Sequence, residues 1–386
     1  MILGLSNQNK KLKVTFFSVL PPFRGGISSF SQMLLNHLSA LTKVESFTFL
    51  RLYPKILFPG KSQEDNLLIG DAPRIVSTFN PFSYFKARRK LKSTNPDVLI
   101  VNYWMTIFSP MYVFFSRGFN KKVLKVALIH NLVPHEKRFF DHYFNRIFLN
   151  RYDAFVVLSQ QVKDEVITQK PDAVCLHLSH PSYTHFGASC DKSFARKSLG
   201  IPEKAKVILF FGLIRDYKGL DVLIHTMNYL DESYFLVIAG EIYGDANVYH
   251  KLIADCKNPN IILNDAYIPD DDVKLYFSSS DLCVLPYKKG TQSGVQAISD
   301  SFCTPVLVSK NGGLHENITD GINGFIIDRL ESRQLAEKIN NVFVGGKLNI
   351  VTEKLKTLLI QKANEWQNFA NELYDFLEME KNKKKL

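Results

Sequence analysis

Two fixed positive charges share one turn in Phe210-Phe211-Gly212-Leu213-Ile214-Arg215-Asp216-Tyr217-Lys218-Gly219-Leu220-Asp221. The apolar run 207–211 stops at Gly212, and Leu220, Leu223 and Ile224 then recur at helical spacing. A basic turn between a parallel strand and a helix can bind a diphosphate, because free helix N–H groups and side-chain cations point the same way. Exposed lysines also occupy such turns for solubility alone. The binding reading of Arg215 and Lys218 gains weight from a second turn, Lys288-Lys289-Gly290-Thr291-Gln292-Ser293-Gly294, which follows the run 282–286 and opens a helix at Val295. Its small residues let backbone N–H groups approach a phosphate, and Thr291, Gln292 and Ser293 can both donate to and accept from sugar hydroxyls.

The first half of the chain offers weaker signals of the same kind. Pro21-Pro22-Phe23-Arg24-Gly25-Gly26 precedes Ile27, Phe30, Met33, Leu34 and Leu38 at helical spacing. Paired glycines before a helix allow close backbone approach to an anion, although most such pairs are only tight turns. The run 123–129 ends in His130-Asn131, which puts His130 at the C-terminal end of a parallel strand, the ligand-binding edge of such a sheet. His135 and His142 read as structural or surface residues. No metal site is expected: the five cysteines form no CxxC pair, and Asp270-Asp271-Asp272 reads as the acidic first turn of a helix. The scattered cysteines suit a reducing compartment.

The elements that must hold these residues repeat one pattern twice. Runs at 13–18, 97–101, 123–129 and 154–158 alternate with helical stretches, and the pattern restarts at 207–211, 235–239, 282–286 and 305–308. Continuous apolar strands separated by helices indicate parallel sheets covered on both faces, an α/β architecture. At 386 residues two domains are expected. The reading places an N-terminal Rossmann-like, doubly wound domain at 1–185, a second at 192–350, a C-terminal helix at 351–379 that packs back on the first, and a frayed basic tail at 380–386.

Charge is unevenly shared. Up to Tyr183 there are 24 Lys and Arg against 11 Asp and Glu, and after it 24 against 26. A basic first half favours an anionic partner such as a membrane surface, a lipid phosphate or a nucleic acid. Its densest cluster is Lys86, Arg88, Arg89, Lys90 and Lys92, near the aromatic stretches 103–108 and 111–115. These are shorter than the roughly 18–20 apolar residues of a spanning helix. They read equally as a buried helix beside a solvated basic face or as a peripheral membrane dock. No basic segment followed by an apolar run opens the sequence, so no signal peptide is expected.

Taken in order, these segments resemble the GT-B fold glycosyltransferases, and specifically the large retaining family 4. The resemblance rests on the Gly-Gly loop after the first strand, F-x-G-x-x-x-x-x-K-G-x-D-x-L-I, S-S-D-L-x-V-L-P-Y, T-P-V-L-V-S-x-N-G-G-L-x-E and D-G-x-N-G-F-I-I. It is densest from Val207 to Ile327, and the stretch 51–61 is also similar to bacterial members. It implies two domains facing a central cleft, the second binding a nucleoside diphosphate-sugar and the first binding the acceptor. Lys218 and Arg215 would neutralise the leaving diphosphate. Gly25, Gly26 and Gly212 would approach the phosphates, and Thr291, Gln292, Ser293 and Gly294 would contact diphosphate and sugar. Ile268 would border the base, and His130 would approach the donor sugar. The expected reaction retains configuration without metal or other cofactor. The implied acceptor is a lipid-linked or oligosaccharide glycan of bacterial surface polysaccharide assembly. The implied location is cytoplasmic, on the cytoplasmic face of the inner membrane where the basic domain docks.

The chain departs from the family pattern at three positions. Two glutamates that members carry eight positions apart fall on Gly290 and Ile298, and the usual arginine after the first-turn glycine falls on Leu213, with Arg215 as substitute. Gln292 would take over hydroxyl recognition. The lost carboxylates motivate a second reading, an inactive GT-B subunit that binds nucleotide-sugar or glycan and supports a partner. An epimerase or hydrolase would need placed carboxylates that the second turn lacks. A nucleic-acid binder would need a base-stacking module that the α/β pattern does not contain, so no nucleic acid is expected.

Overall fold

The computed structural model describes residues 11–53, 62–65, 68–134, 138–183, 185–290 and 293–384. Among the described residues thirteen strands form two sheets. The first contains Lys13–Phe17 (β1), Lys43–Arg51 (β2), Arg74–Ser77 (β3), Val98–Tyr103 (β4), Leu124–Ile129 (β5), Ala154–Val157 (β6) and Val174–His177 (β7). The second contains Lys206–Phe211 (β8), Tyr234–Ala239 (β9), Ile261–Asn264 (β10), Leu282–Leu285 (β11), Val306–Ser309 (β12) and Phe325–Ile327 (β13). Their orders are β3-β2-β1-β4-β5-β6-β7 and β10-β9-β8-β11-β12-β13. All pairings within both are parallel, for example Val14 opposite Val98 and Ile208 opposite Leu282. Each order reverses direction once beside its first strand, which opens a crevice at the C-terminal strand ends where loops can hold a ligand.

Alternation along the strands explains why both faces of each sheet are covered. Phe16 and Ile100 enter one apolar layer, while Phe17, Leu99 and Val101 enter another. The inner layer continues from one half of the chain to the other, with Phe30, Tyr183, Phe211 and Val295 in a single cluster. The aromatic stretches at 103–115 belong to the outer layer of the first sheet. Tyr103, Phe108, Met111, Tyr112 and Phe115 are buried, so this segment is core and not a docking surface.

The C-terminal region differs from its expected form. Two helices, Lys347–Gln361 and Glu365–Lys383, replace the single one expected from 351. The second packs along the helix Gly26–Leu41, with Trp366 against Phe30 and its Nε1 donating to the Ser182 carbonyl at 2.8 Å. The stretch expected to fray is helical through Lys383. Lys381 is buried and donates to the carbonyls of Asp97 (3.0 Å) and Lys122 (2.7 Å), and Lys384 pairs with Asp153. These acceptors precede β4, β5 and β6, so the basic end is held by oxygens at the edge of the sheet opposite the crevice. Composition alone could not reveal that partnership.

Candidate active site

The C-terminal strand ends of both sheets border one cavity of about 1040 Å³. From the second half, β8 runs into the loop carrying Gly212, Arg215 and Lys218. Gly212 adopts φ 92°, and a Cβ there would lie 3.1 Å from Val295 and 3.7 Å from Lys218 Nζ. Gly219 adopts φ 71°, where a Cβ would come within 2.0 Å of the Pro286 carbonyl oxygen. Only glycine lets this loop nest against the one that follows β11. Lys288 locks the two together: its N–H donates to Tyr217 O at 2.7 Å, and its ammonium pairs with Asp216 (2.9 Å) and Asp221 (3.0 Å).

Lys288 is therefore neutralised, whereas Arg215 and Lys218 have no carboxylate partner among the described residues. The Arg215 guanidinium lies 5.2 Å from the Tyr243 ring centre and Lys218 Nζ 5.5 Å from that of Tyr287. Burial, reinforced by Arg215, lowers the Lys218 ammonium from 10.5 to about 7. Two cations held together without counter-charge lower their electrostatic energy by binding an anion. Helix N-termini reinforce that preference. Gly25 (φ 103°) caps the helix Gly26–Leu41, and Ser293 precedes the helix Gly294–Ser301; Gly25, Gly26, Ser293 and Gly294 all line the cavity. First-turn N–H groups without intrahelical partners carry partial positive charge.

His130 follows β5 and reaches the same cavity, 4% exposed, its ring edge-on to Phe30 at 5.0 Å. Burial, with His180 nearby, lowers its imidazole to about 3. At neutral pH it is an uncharged hydrogen-bonding group. Ile268 also lines the cavity. Thus Gly25, Gly26, His130, Gly212, Arg215, Lys218, Ile268, Ser293 and Gly294 meet at one place, while Thr291 and Gln292 lie outside the described residues. His142 is exposed on a shallower groove, and His135 lies outside the described residues.

Sequence reasoning missed an ion pair that crosses the cavity. Arg24, directly before Gly25, pairs with Glu241 after β9; their side chains are 10% and 2% exposed. The Arg24 guanidinium also lies 4.5 Å from the Tyr267 ring centre. Arg24 adjoined a motif already singled out, but nothing local to Glu241 announced its partner. The positions that lack glutamates are structurally committed in another way. A Cβ on Gly290 would come 2.6 Å from Leu314 Cδ1, and the Gly290 carbonyl accepts from Gly313 N–H at 2.8 Å. Ile298 is buried.

The family described as Glycosyl transferases group 1 matches residues 191–349, and Glycosyltransferase Family 4 matches residues 25–178. A lipopolysaccharide 1,2-N-acetylglucosaminetransferase of Salmonella typhimurium is 26% identical over 196 residues, 45% of this chain and 49% of that protein. The chain spans about half the length of the curated relatives it matches. Among solved structures, sucrose-phosphate synthase from Thermosynechococcus elongatus superposes with TM-score 0.75 at 15% identity, over 96% of this chain and 99% of the other. HepE of Anabaena in complex with UDP-glucose gives 0.73 at 17%, over 94% and 99%. At these identities the superpositions establish a shared fold.

Proposed function

Because the chain belongs to the group 1 glycosyltransferases of the GT-B fold, we propose that it transfers a sugar from a nucleoside diphosphate-sugar to a glycan acceptor. The observation that carries this reading is the uncompensated Arg215–Lys218 pair facing the N-terminus of the helix Gly26–Leu41 across one cavity. A departing diphosphate develops negative charge as its bond to the sugar lengthens. Fixed cations and helix N–H groups aimed at that oxygen stabilise the transition state without reorganising. Gly25, Gly26, Gly212, Ser293 and Gly294 bring backbone close to the phosphates; Thr291 and Gln292 serve as contacts to diphosphate and sugar; Ile268 borders the base. Neutral His130 hydrogen-bonds to the sugar. Configuration at the transferred carbon is retained through an oxocarbenium-like state, and no metal is called upon.

The acceptor in this reading is lipid-linked, in bacterial surface polysaccharide assembly on the cytoplasmic face of the inner membrane. What supports it is the helix Pro81–Ser93. Phe82 and Phe85 are 86% and 59% exposed and share one face with exposed Lys86 and Arg89, while Ala87 and Leu91 are buried. An apolar and basic face is the chemistry that binds an anionic bilayer from one side. Among the described residues no helix is long and apolar enough to cross a membrane.

A second reading, an inactive subunit that holds nucleotide-sugar or glycan for a partner, is favoured by Gly290 and Ile298, which stand where the family pattern has carboxylates. Thermal-shift titration with UDP-, GDP-, ADP- and dTDP-sugars separates the readings. One base class raises Tm in the wild type and fails to in Lys218→Ala, whose own Tm is unchanged. Stabilisation without donor turnover on membrane extracts selects the inactive subunit. Absence of any shift overturns both.

A further inference from the structure

Tyr183 lies in the segment joining the two halves and is buried, yet it lines the cavity. Its Oη donates to the Gly26 carbonyl at 3.0 Å, in the first turn of the helix Gly26–Leu41. On its other side the ring abuts the first turn of the helix Gly294–Ser301. A Cβ on Gly294 would sit 3.5 Å from Tyr183 Cε2 and 3.7 Å from Oη, and one on Gly26 would sit 3.7 Å from Oη. One side chain thus fills the gap between the two helix N-termini that face the cavity.

The surroundings hold Tyr183 in place. Ser182 is gripped on both backbone groups, its N–H by Glu365 at 2.8 Å and its carbonyl by Trp366 Nε1 at 2.8 Å. His180 Nδ1 lies 2.7 Å from the Pro181 carbonyl, which can only accept, so Nδ1 carries the proton of the neutral ring and Nε2 is an acceptor. Tyr183 Oη is 3.3 Å from that Nε2. Its single proton is therefore drawn towards Gly26 O or His180 Nε2, and the shorter contact is to Gly26.

We infer that Tyr183 is a positioning residue that sets the spacing between the Gly25–Gly26 loop and the N-terminus at Gly294, so that both meet one diphosphate. This rests on the donor-site reading above. A Gly26 carbonyl pinned from the linker side fixes the adjoining peptide planes of a turn whose residues 25–29 line the cavity. The ring, wedged against Gly294, keeps the second N-terminus at contact distance. Small displacements of such donors lower rate more than affinity, because charge on the diphosphate is greatest in the transition state.

Tyr183→Phe keeps the ring and removes only the hydroxyl. In the full-length free protein, amide hydrogen exchange of peptides covering 24–34 is expected to accelerate about five- to tenfold, the weight of one uncharged hydrogen bond. With the nucleotide-sugar that stabilises the wild type, kcat is expected to fall by a similar factor of about five to ten while the donor KM stays within about twofold. Unchanged exchange at 24–34 overturns the proposal. So does a parallel loss of kcat, donor affinity and melting temperature, which marks a purely structural tyrosine. The exchange measurement needs no ligand, so it tests Tyr183 even where no nucleotide binds and the donor-site reading itself has failed.

Discussion

At the scale of single residues, the site is defined by which charges have been neutralised and which have not. Lys288 spends its charge on Asp216 and Asp221, whereas Lys218 beside Arg215 is pushed down from 10.5 to about 7. Below about pH 7 the free protein already carries the Lys218 proton, so binding a nucleoside diphosphate requires no proton uptake. Above it the free amine is neutral, and the bound anion restores the ammonium by taking up one proton. Apparent affinity is thus expected to fall as pH rises above about 7, by up to about tenfold per unit. Calorimetric titration with the nucleoside diphosphate of the stabilising base, in buffers of different ionisation enthalpy, reads that uptake directly. Lys218→Gln is expected to bind more weakly at pH 7 with a flat pH profile. A flat profile in the wild type would mean that Lys218 does not face the diphosphate.

At the scale of elements, the helix Pro81–Ser93 shows how a sequence cluster divides once it is folded. Arg88 lies over the Phe114 ring, 4.4 Å from its centre, and so belongs partly to the protein's own packing. Lys86 and Arg89 are exposed with Phe82 and Phe85 at three- and four-residue spacing. Vesicle sedimentation separates the two contributions. Binding to phosphatidylglycerol-containing vesicles is expected to exceed binding to pure phosphatidylcholine and to weaken with salt. The pair Phe82→Ser and Phe85→Ser should reduce binding at any salt, while Lys86→Ser and Arg89→Ser should remove the dependence on anionic lipid. Equal binding of the wild type to both vesicle types would eliminate this face as a dock.

At the scale of the whole molecule, specific polar contacts join the halves beside the apolar layer they share. Arg24 pairs with Glu241, and the Glu316 carboxylate caps the helix Gln160–Gln169 by accepting from Gln160 N–H (2.9 Å) and Gln161 N–H (3.1 Å). Breaking one side of a buried ion pair leaves the other charge stranded, which costs about 3–5 kcal/mol. Arg24→Ala is therefore expected to destabilise more than the double variant that also carries Glu241→Ala. A double-mutant cycle by denaturant unfolding should then yield a coupling larger than the cost of Glu241→Ala alone, at least about 3 kcal/mol. Additive effects would show that the pair does not hold the cleft together.

The apolar runs of β1, β4, β5, β6, β8, β9, β11 and β12 determined the fold by themselves, because strands buried on both faces must be apolar throughout. The basic turn and the glycine turns were legible for a similar local reason: a residue type that only one backbone geometry or ligand charge explains is visible without its neighbours. The strands β2, β3, β7, β10 and β13 escaped notice. β3, β7, β10 and β13 are three or four residues long, and β3 and β7 are edge strands with exposed positions, while β2 alternates exposure at its start. Nor could spacing along the chain reveal Arg24 with Glu241, Tyr183 with Gly26, or Lys381 with Asp97 and Lys122. Those partners lie between 157 and 284 positions apart. Their pairing depends on how two sheets and a returning helix pack, and only the tertiary structure decided it.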